Sequence, residues 1–278
     1  MKRALVVLGL LALTASGCQL VNPIAPVGTP EAVRMRPAAD VTWNRFQVHL
    51  DPTVMVWADE SNVDLRAVVR AAFEHIEGAL HGSPTSVSIA AGSYLPIPDI
   101  GIGGQTDRRT GEVRISMDSR RPTPVKDLLT IWIPVALAHE LHHSRRILDG
   151  PGYGATLLDA MVTEGSAEAF VRESYPSAPT IPWVEPLSTV DKAAVWRRAR
   201  TVLSAPDDLD LHQTWFVGGG SLPPWPGYRL GYEMVRRYLA RHRRTTAAQL
   251  ALIPSASIYT GSGFAQAMNQ PKKHGPSV

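Results

Sequence analysis

The sequence predicts an α+β fold, a mostly helical domain carrying a small sheet. Apolar residues recur at helical spacing in several long stretches, from residues 63 to 80 and again beyond residue 125. Short alternating or β-branched runs gather before residue 118, and turn residues bound them. The 44% apolar and 19% charged content is that of a globular chain with material for a packed core.

The elements follow in order. MKRALVVLGLLALTASGC opens with Lys2 and Arg3, continues through an apolar run from Ala4 to Leu13, and ends in small residues at Cys18. This is the layout of an export signal, too short to span a membrane as a stable helix. Its last four residues look like a bacterial lipobox. Residues 1–17 are therefore expected to be a lipoprotein signal peptide, with Cys18 lipidated and anchoring the chain to the bacterial cell envelope. In a host with an outer membrane, Gln19 after it leans towards that membrane, facing the periplasm. Cys18 is the single cysteine, so the rest of the chain forms no internal disulfide and holds no metal through thiolates. Without residues 1–17, 26 basic residues face 25 acidic ones, and the balance gives no support to nucleic-acid binding. "RRYLARHRR" (236–244) reads as the solvated end of a helix, where cations suit the dipole.

Residues 18–42 read as a flexible Pro- and Ala-rich tether, 43–268 as one domain and 269–278 as a disordered tail. "RFQVHL" and "TVMVWAD" suggest strands, and Ser61 or Asn62 caps a helix that Gly82 stops. "TSVSIAAG", the Gly-rich "GIGGQTD" and Glu112 to Met117 supply the β signal. Pro134 is expected to break the next helical stretch and to sit in the first turn of a helix reaching about Leu148. Helices are also expected at 155–173, from Ser188 to about Leu203, in "GYRLGYEMVRRYLARH" and around 247–252; 206–226 reads as irregular. The glycines at 218–220 lack the spacing of a phosphate loop.

The chemistry concentrates in His139-Glu140-Leu141-His142-His143, which contains HExxH. Residues i and i+4 share a helix face, so both His139 and His143 can reach one zinc ion. Glu140 then projects beside the metal, placed to take a proton from water. His142 falls off this face, a supporting or surface residue. A zinc site needs a third protein ligand, and Glu164 in "VTEGSAEAF" returns on the next helix after a Gly-Pro-Gly turn. Glu168, one turn further, could accept the free N–H of a ligand histidine.

A helical HExxH followed by Glu, with an acid four residues later, resembles the gluzincin branch of zinc metallopeptidases. "ALAHELHH", "TEGSAEAF" and "PPWPGYRLGYEMVRRYL" together resemble a bacterial family described as predicted zinc-dependent proteases, over roughly residues 60–265. The resemblance implies a zincin-like domain whose small sheet packs on the active-site helix. It implies that Glu112 to Met117 is the edge strand that pairs with extended substrate. It also implies an oxyanion donor from the C-terminal half, for which Tyr228 and Tyr232 are the first candidates and His212 a further one. His49, His75, His81, His242 and His274 are read as structural or exposed.

The function expected is hydrolysis of peptide bonds in a peptide or protein substrate, with Zn2+ as cofactor and Glu140 as general base. A catalytically silent surface lipoprotein that binds a partner is the alternative. A di-iron centre built on Glu140-x-x-His143 would need a second copy of that motif, which the sequence lacks.

Overall fold

The computed structural model describes residues 39–269 apart from 94–96 and 98. The expected signal peptide, Cys18, most of the tether and residues 270–278 lie outside the described residues. The α+β class is as expected: a five-stranded mixed sheet in the order β1-β2-β3-β5-β4, with helices following it along the chain.

Strands β1 (Ala39–Trp43) and β2 (Phe46–Leu50) form a tight antiparallel hairpin, turned by Asn44 at a φ of 50°. Regular structure thus begins four residues earlier than the expected tether allowed, because 39–42 pair with β2. Helices α1 (Pro52–Glu60) and α2 (Leu65–Ala79) cross to β3 (Thr85–Ala91), which lies parallel to β2. "TVMVWAD", expected as a strand, is α1. Its valines favour β structure, but Asp51 caps Thr53 N–H and Pro52 pre-sets the first turn. The cap of α2 is Asp64, accepting from Ala67 N–H, not Ser61 or Asn62. The chain then makes the hairpin β4 (Ile102–Thr106) to β5 (Val113–Met117).

β5 is not an edge strand. It pairs with β3 on one side and with β4 on the other, so the expectation that Glu112 to Met117 is the edge strand open to an extended substrate is corrected. The edge is the Gly-rich β4. Alternation along a strand does not reveal sheet order, and the hairpin places the later strand inside the earlier one.

After β5 come a short turn α3 (Val125–Asp127), a π-helical turn Leu128–Trp132 and α4 (Ile133–Asp149). Pro134 lies in the first turn of α4 as expected. The wider π turn directly before it accommodates the missing N–H without ending the helical path. α5 (Leu157–Ser174) begins at a capping box formed by Thr156 and Asp159. A 3-10 turn at Pro182–Val184 and α6 (Thr189–Ala199) lead to α7 (Leu209–Phe216), which Asp208 caps inside the segment expected to be irregular. α8 (Pro226–Arg241), a 3-10 turn at Ala248–Leu252, α9 (Ser255–Ser262) and α10 (Phe264–Asn269) complete the described chain. Among the described residues no helix is long and apolar enough to cross a membrane.

One face of the sheet buries Phe46, Val48, Leu50, Val87, Ile89, Val113, Ile115 and Met117. They join one core with Phe73 and Ile76 of α2 and Leu137 and Leu141 of α4. Each such side chain contributes about 1.5–3 kcal/mol of burial. This core seats α4 beneath β4 and β5, and α5 and α8 pack beyond it.

A candidate metal centre between sheet edge and helices

α4 presents His139 and His143 one turn apart, and α5 returns to set Glu164 against them. His139 Nε2 and His143 Nε2 are 3.0 Å apart. Glu164 Oε2 lies 3.1 Å from the first and 3.3 Å from the second. A tetrahedral zinc ion about 2.0–2.1 Å from each ligand separates its ligands by about 3.3–3.4 Å. The three donor atoms therefore form a triangle within about 0.4 Å of the size such an ion requires, and these residues fit zinc.

The surrounding hydrogen bonds prepare the donors. Glu168 Oε1 sits 3.1 Å from His139 Nδ1, where it accepts that nitrogen's N–H and turns Nε2 towards the cluster. The same Oε1 accepts from the Trp183 indole N–H at 2.6 Å. Trp183 packs edge-on against Trp225, which adopts a left-handed φ of 54° at the start of α8. Tyr153 donates its hydroxyl to Glu164 Oε1 at 2.7 Å, leaving Oε2 for the cluster.

The electrostatics ask for a cation. Burial pushes the His139 imidazole down, but the carboxylates of Glu164 and Glu168 outweigh it and hold its pKa well above 6.5. Burial likewise pushes Glu164 up, and His143 and His139 overcome this to hold it well below its ordinary range. Tyr153 is pushed well above 10 by burial and then by the Glu164 charge, so it remains a phenol.

The cluster opens into a cleft of about 390 Å³, lined by β4 and the following turn, by Arg114 of β5, and by Tyr153, His212 and Tyr228. Glu140 lines it beside the histidines, and Thr106 Oγ1 reaches its Oε2 at 2.7 Å. The structure separates the two tyrosines that the sequence leaves level. Tyr228 lines the cleft, its pKa held well above 10 by burial and by Glu164, Glu168 and Glu140. Tyr232 is not among the lining residues, and its ring lies 5.8 Å from the Arg236 guanidinium. His212 also lines the cleft, stacked on Phe216 and bonded through Nδ1 to Asp207 Oδ1 at 3.0 Å.

His142 is neither a surface residue nor a partner of the cluster. It is fully buried on the other side of α4, beside Phe170, with Nε2 3.2 Å from the Ala247 carbonyl. The helix is covered on both sides by later segments, so the side facing away from the cleft is also core.

Tyr153, Thr106 and Asp207 are site residues that sequence reasoning passes over. Each comes from a turn or strand end, with no spacing to tie it to HExxH. The Gly-Tyr-Gly of 152–154 marks a turn but not its neighbour Glu164.

Two comparisons bear on this arrangement. Residues 124–260 match the model of a family described as "Predicted Zn-dependent protease". That stretch contains the three donors, Glu140, Glu168, His212 and Tyr228. The chain is also similar to the uncharacterized protein YjaZ of Bacillus subtilis (strain 168), 24% identical over 158 residues. The alignment covers 52% of this chain and 60% of that relative's length.

Proposed function

We propose that the protein is a zinc-dependent hydrolase of peptide bonds with a zincin-like site. The observation that carries the reading is the donor triangle of His139, His143 and Glu164, 3.0–3.3 Å on a side, with Glu140 on its open flank. The family description agrees with it.

When bound, zinc would acidify a water to a pKa near 7 and polarise the carbonyl under attack. The remaining steps belong to the chain. Glu140 takes the water proton and passes it to the leaving amine. Tyr228, held as a phenol, faces the same cleft and donates a hydrogen bond to the oxyanion as charge develops there. His212, oriented by Asp207, is the second donor lining that cleft.

Substrate would lie along β4. Asp118 N–H donates to Gly101 O, and Asp107 N–H to Glu112 O, so the odd positions of the strand face β5. Gly104 and Thr106 therefore turn their backbone groups away from β5, where an extended polypeptide can add as a further strand. The reading includes attachment to the bacterial envelope through lipidated Cys18; a Cys18→Ser protein released from membranes would support it.

The test is elemental analysis of the purified protein beside His143→Ala and Glu140→Gln, with peptide hydrolysis assayed for each. The expected result is about one zinc per chain in the parent, lost in His143→Ala and kept in Glu140→Gln. Hydrolysis falls about 10²–10⁴-fold in Glu140→Gln. A parent that takes up zinc without hydrolysing peptides, and is indifferent to Glu140→Gln, would point instead to a partner-binding protein that keeps the site.

A further inference from the structure

Glu140 does not stand free beside the donor cluster. Its side chain lies flat on β4, over Gly104. A Cβ built on Gly104 would come within 2.5 Å of both Cγ and Oε1 and 2.8 Å of Cδ. The glutamate fills the volume a side chain at position 104 would need. Residue 106 points to the same side of the strand. There Thr106 Oγ1 lies 2.7 Å from Glu140 Oε2 and 3.0 Å from the Glu140 carbonyl. A hydroxyl has one hydrogen to give, and the shorter, charge-assisted contact is the stronger. Among the described residues Oε1 has no hydrogen-bond partner.

We infer that Gly104 and Thr106 are positioning residues for Glu140, a cradle on the sheet edge that holds Oε2 and leaves Oε1 to exchange the proton. The inference deepens the hydrolase reading and rests on it. Glutamate has three rotatable side-chain bonds, and α4 fixes only where it starts. Displacing a catalytic group by about 1 Å can cost about 10²-fold in rate, so the sheet's grip on the carboxylate bears directly on turnover. The cradle lies on β4 and the metal donors on α4 and α5. Damage to it therefore leaves metal binding intact.

The experiment compares Thr106→Val, Thr106→Ser and Gly104→Ala in the full-length, zinc-loaded protein. Thr106→Val is nearly isosteric and removes only the hydroxyl. It should lower kcat about 10–100-fold, with KM within about 3-fold and zinc content unchanged. Thr106→Ser should recover most of that loss. Gly104→Ala should lose at least as much as Thr106→Val, because its methyl evicts the carboxylate. A Thr106→Val enzyme with parental kcat, or a Thr106→Ser enzyme as impaired as Thr106→Val, overturns the cradle. A crystal structure of Thr106→Val decides without any activity: a carboxylate swung off Gly104 supports the inference, and an unmoved one overturns it. If the parent binds zinc yet cleaves no peptide, the hydrolase reading falls and this structural comparison alone settles the cradle.

Discussion

Gly165 of α5 and Gly231 of α8 meet backbone to backbone. A Cβ on Gly165 would lie 2.3 Å from the Gly231 carbonyl carbon, and one on Gly231 would lie 1.9 Å from the Met161 oxygen. The two helices approach this closely because neither residue has a side chain. The approach matters to the site, since Glu164 precedes Gly165 and Tyr228 lies one turn before Gly231. Gly231→Ala should therefore cost about 1–3 kcal/mol and reduce activity as Tyr228 moves. Gly78, in α2, has nothing within 4 Å of its would-be Cβ. Gly78→Ala should stabilise by about 0.5–1 kcal/mol. Urea denaturation of both variants checks the pair.

Tyr153→Phe removes the hydrogen bond to Glu164 Oε1 and frees that carboxylate to turn. The expected outcome is zinc affinity lowered about 10–100-fold, read by competition with a chelator of known affinity. Unchanged affinity would show that packing alone orients Glu164.

Arg146 is 1% exposed and bonds the carbonyls of Leu250 and Ile253 and the Ser255 hydroxyl. Burial lowers its pKa to about 10, yet it stays charged at neutral pH. Arg146→Ala would take this donor from all three acceptors, leaving the Leu250 carbonyl only the Ile253 N–H, and would open a cavity, a loss of about 3 kcal/mol or more. For a chain of this size that lowers Tm by about 6–12 °C, measurable by calorimetry.

His142 gives a pH dependence. Burial, followed by the neighbouring His143 and Arg146 side chains, holds its pKa well below 6.5, so it is neutral in the fold. The unfolded chain takes up that proton near pH 6.5, so below this value acid favours unfolding by up to about 1.4 kcal/mol per pH unit. The contribution is whole above pH 6.5 and is lost as pH falls towards the folded value. His142→Gln removes it. Between pH 7.5 and 5.0 the parent should lose more stability than the variant, by urea titration of both zinc-loaded proteins.

The clustering of His139, His143 and Glu164 is legible in the sequence because each rests on local geometry: an i, i+4 pair on one helix, then a helix returning after a short turn. Glu168 was legible for the same reason, one turn beyond Glu164. Thr106, Tyr153 and Asp207 were not. They reach the site only through the tertiary fold, from a strand end, a turn and the loop before α7. The edge strand is not legible, because alternation identifies a strand without ordering it in a sheet. α1 read as a strand because Val54 and Val56 outweighed, in the pattern, a cap and a proline that decide the backbone. α7 is too short to show in the pattern, and the placement of His212 in the cleft lining depends on it.

The division of the chain at the cleft has a wider consequence. Everything that would load the metal lies within residues 124–260, and the strand that orients Glu140 lies before them. The two segments are under separate control. Substitutions confined to β4 and its turn could tune or silence turnover while the ion stays seated, giving proteins that share one metal signature and differ in whether they react. A zinc assay on such a relative would then report its ancestry, and only the sheet edge would report its occupation.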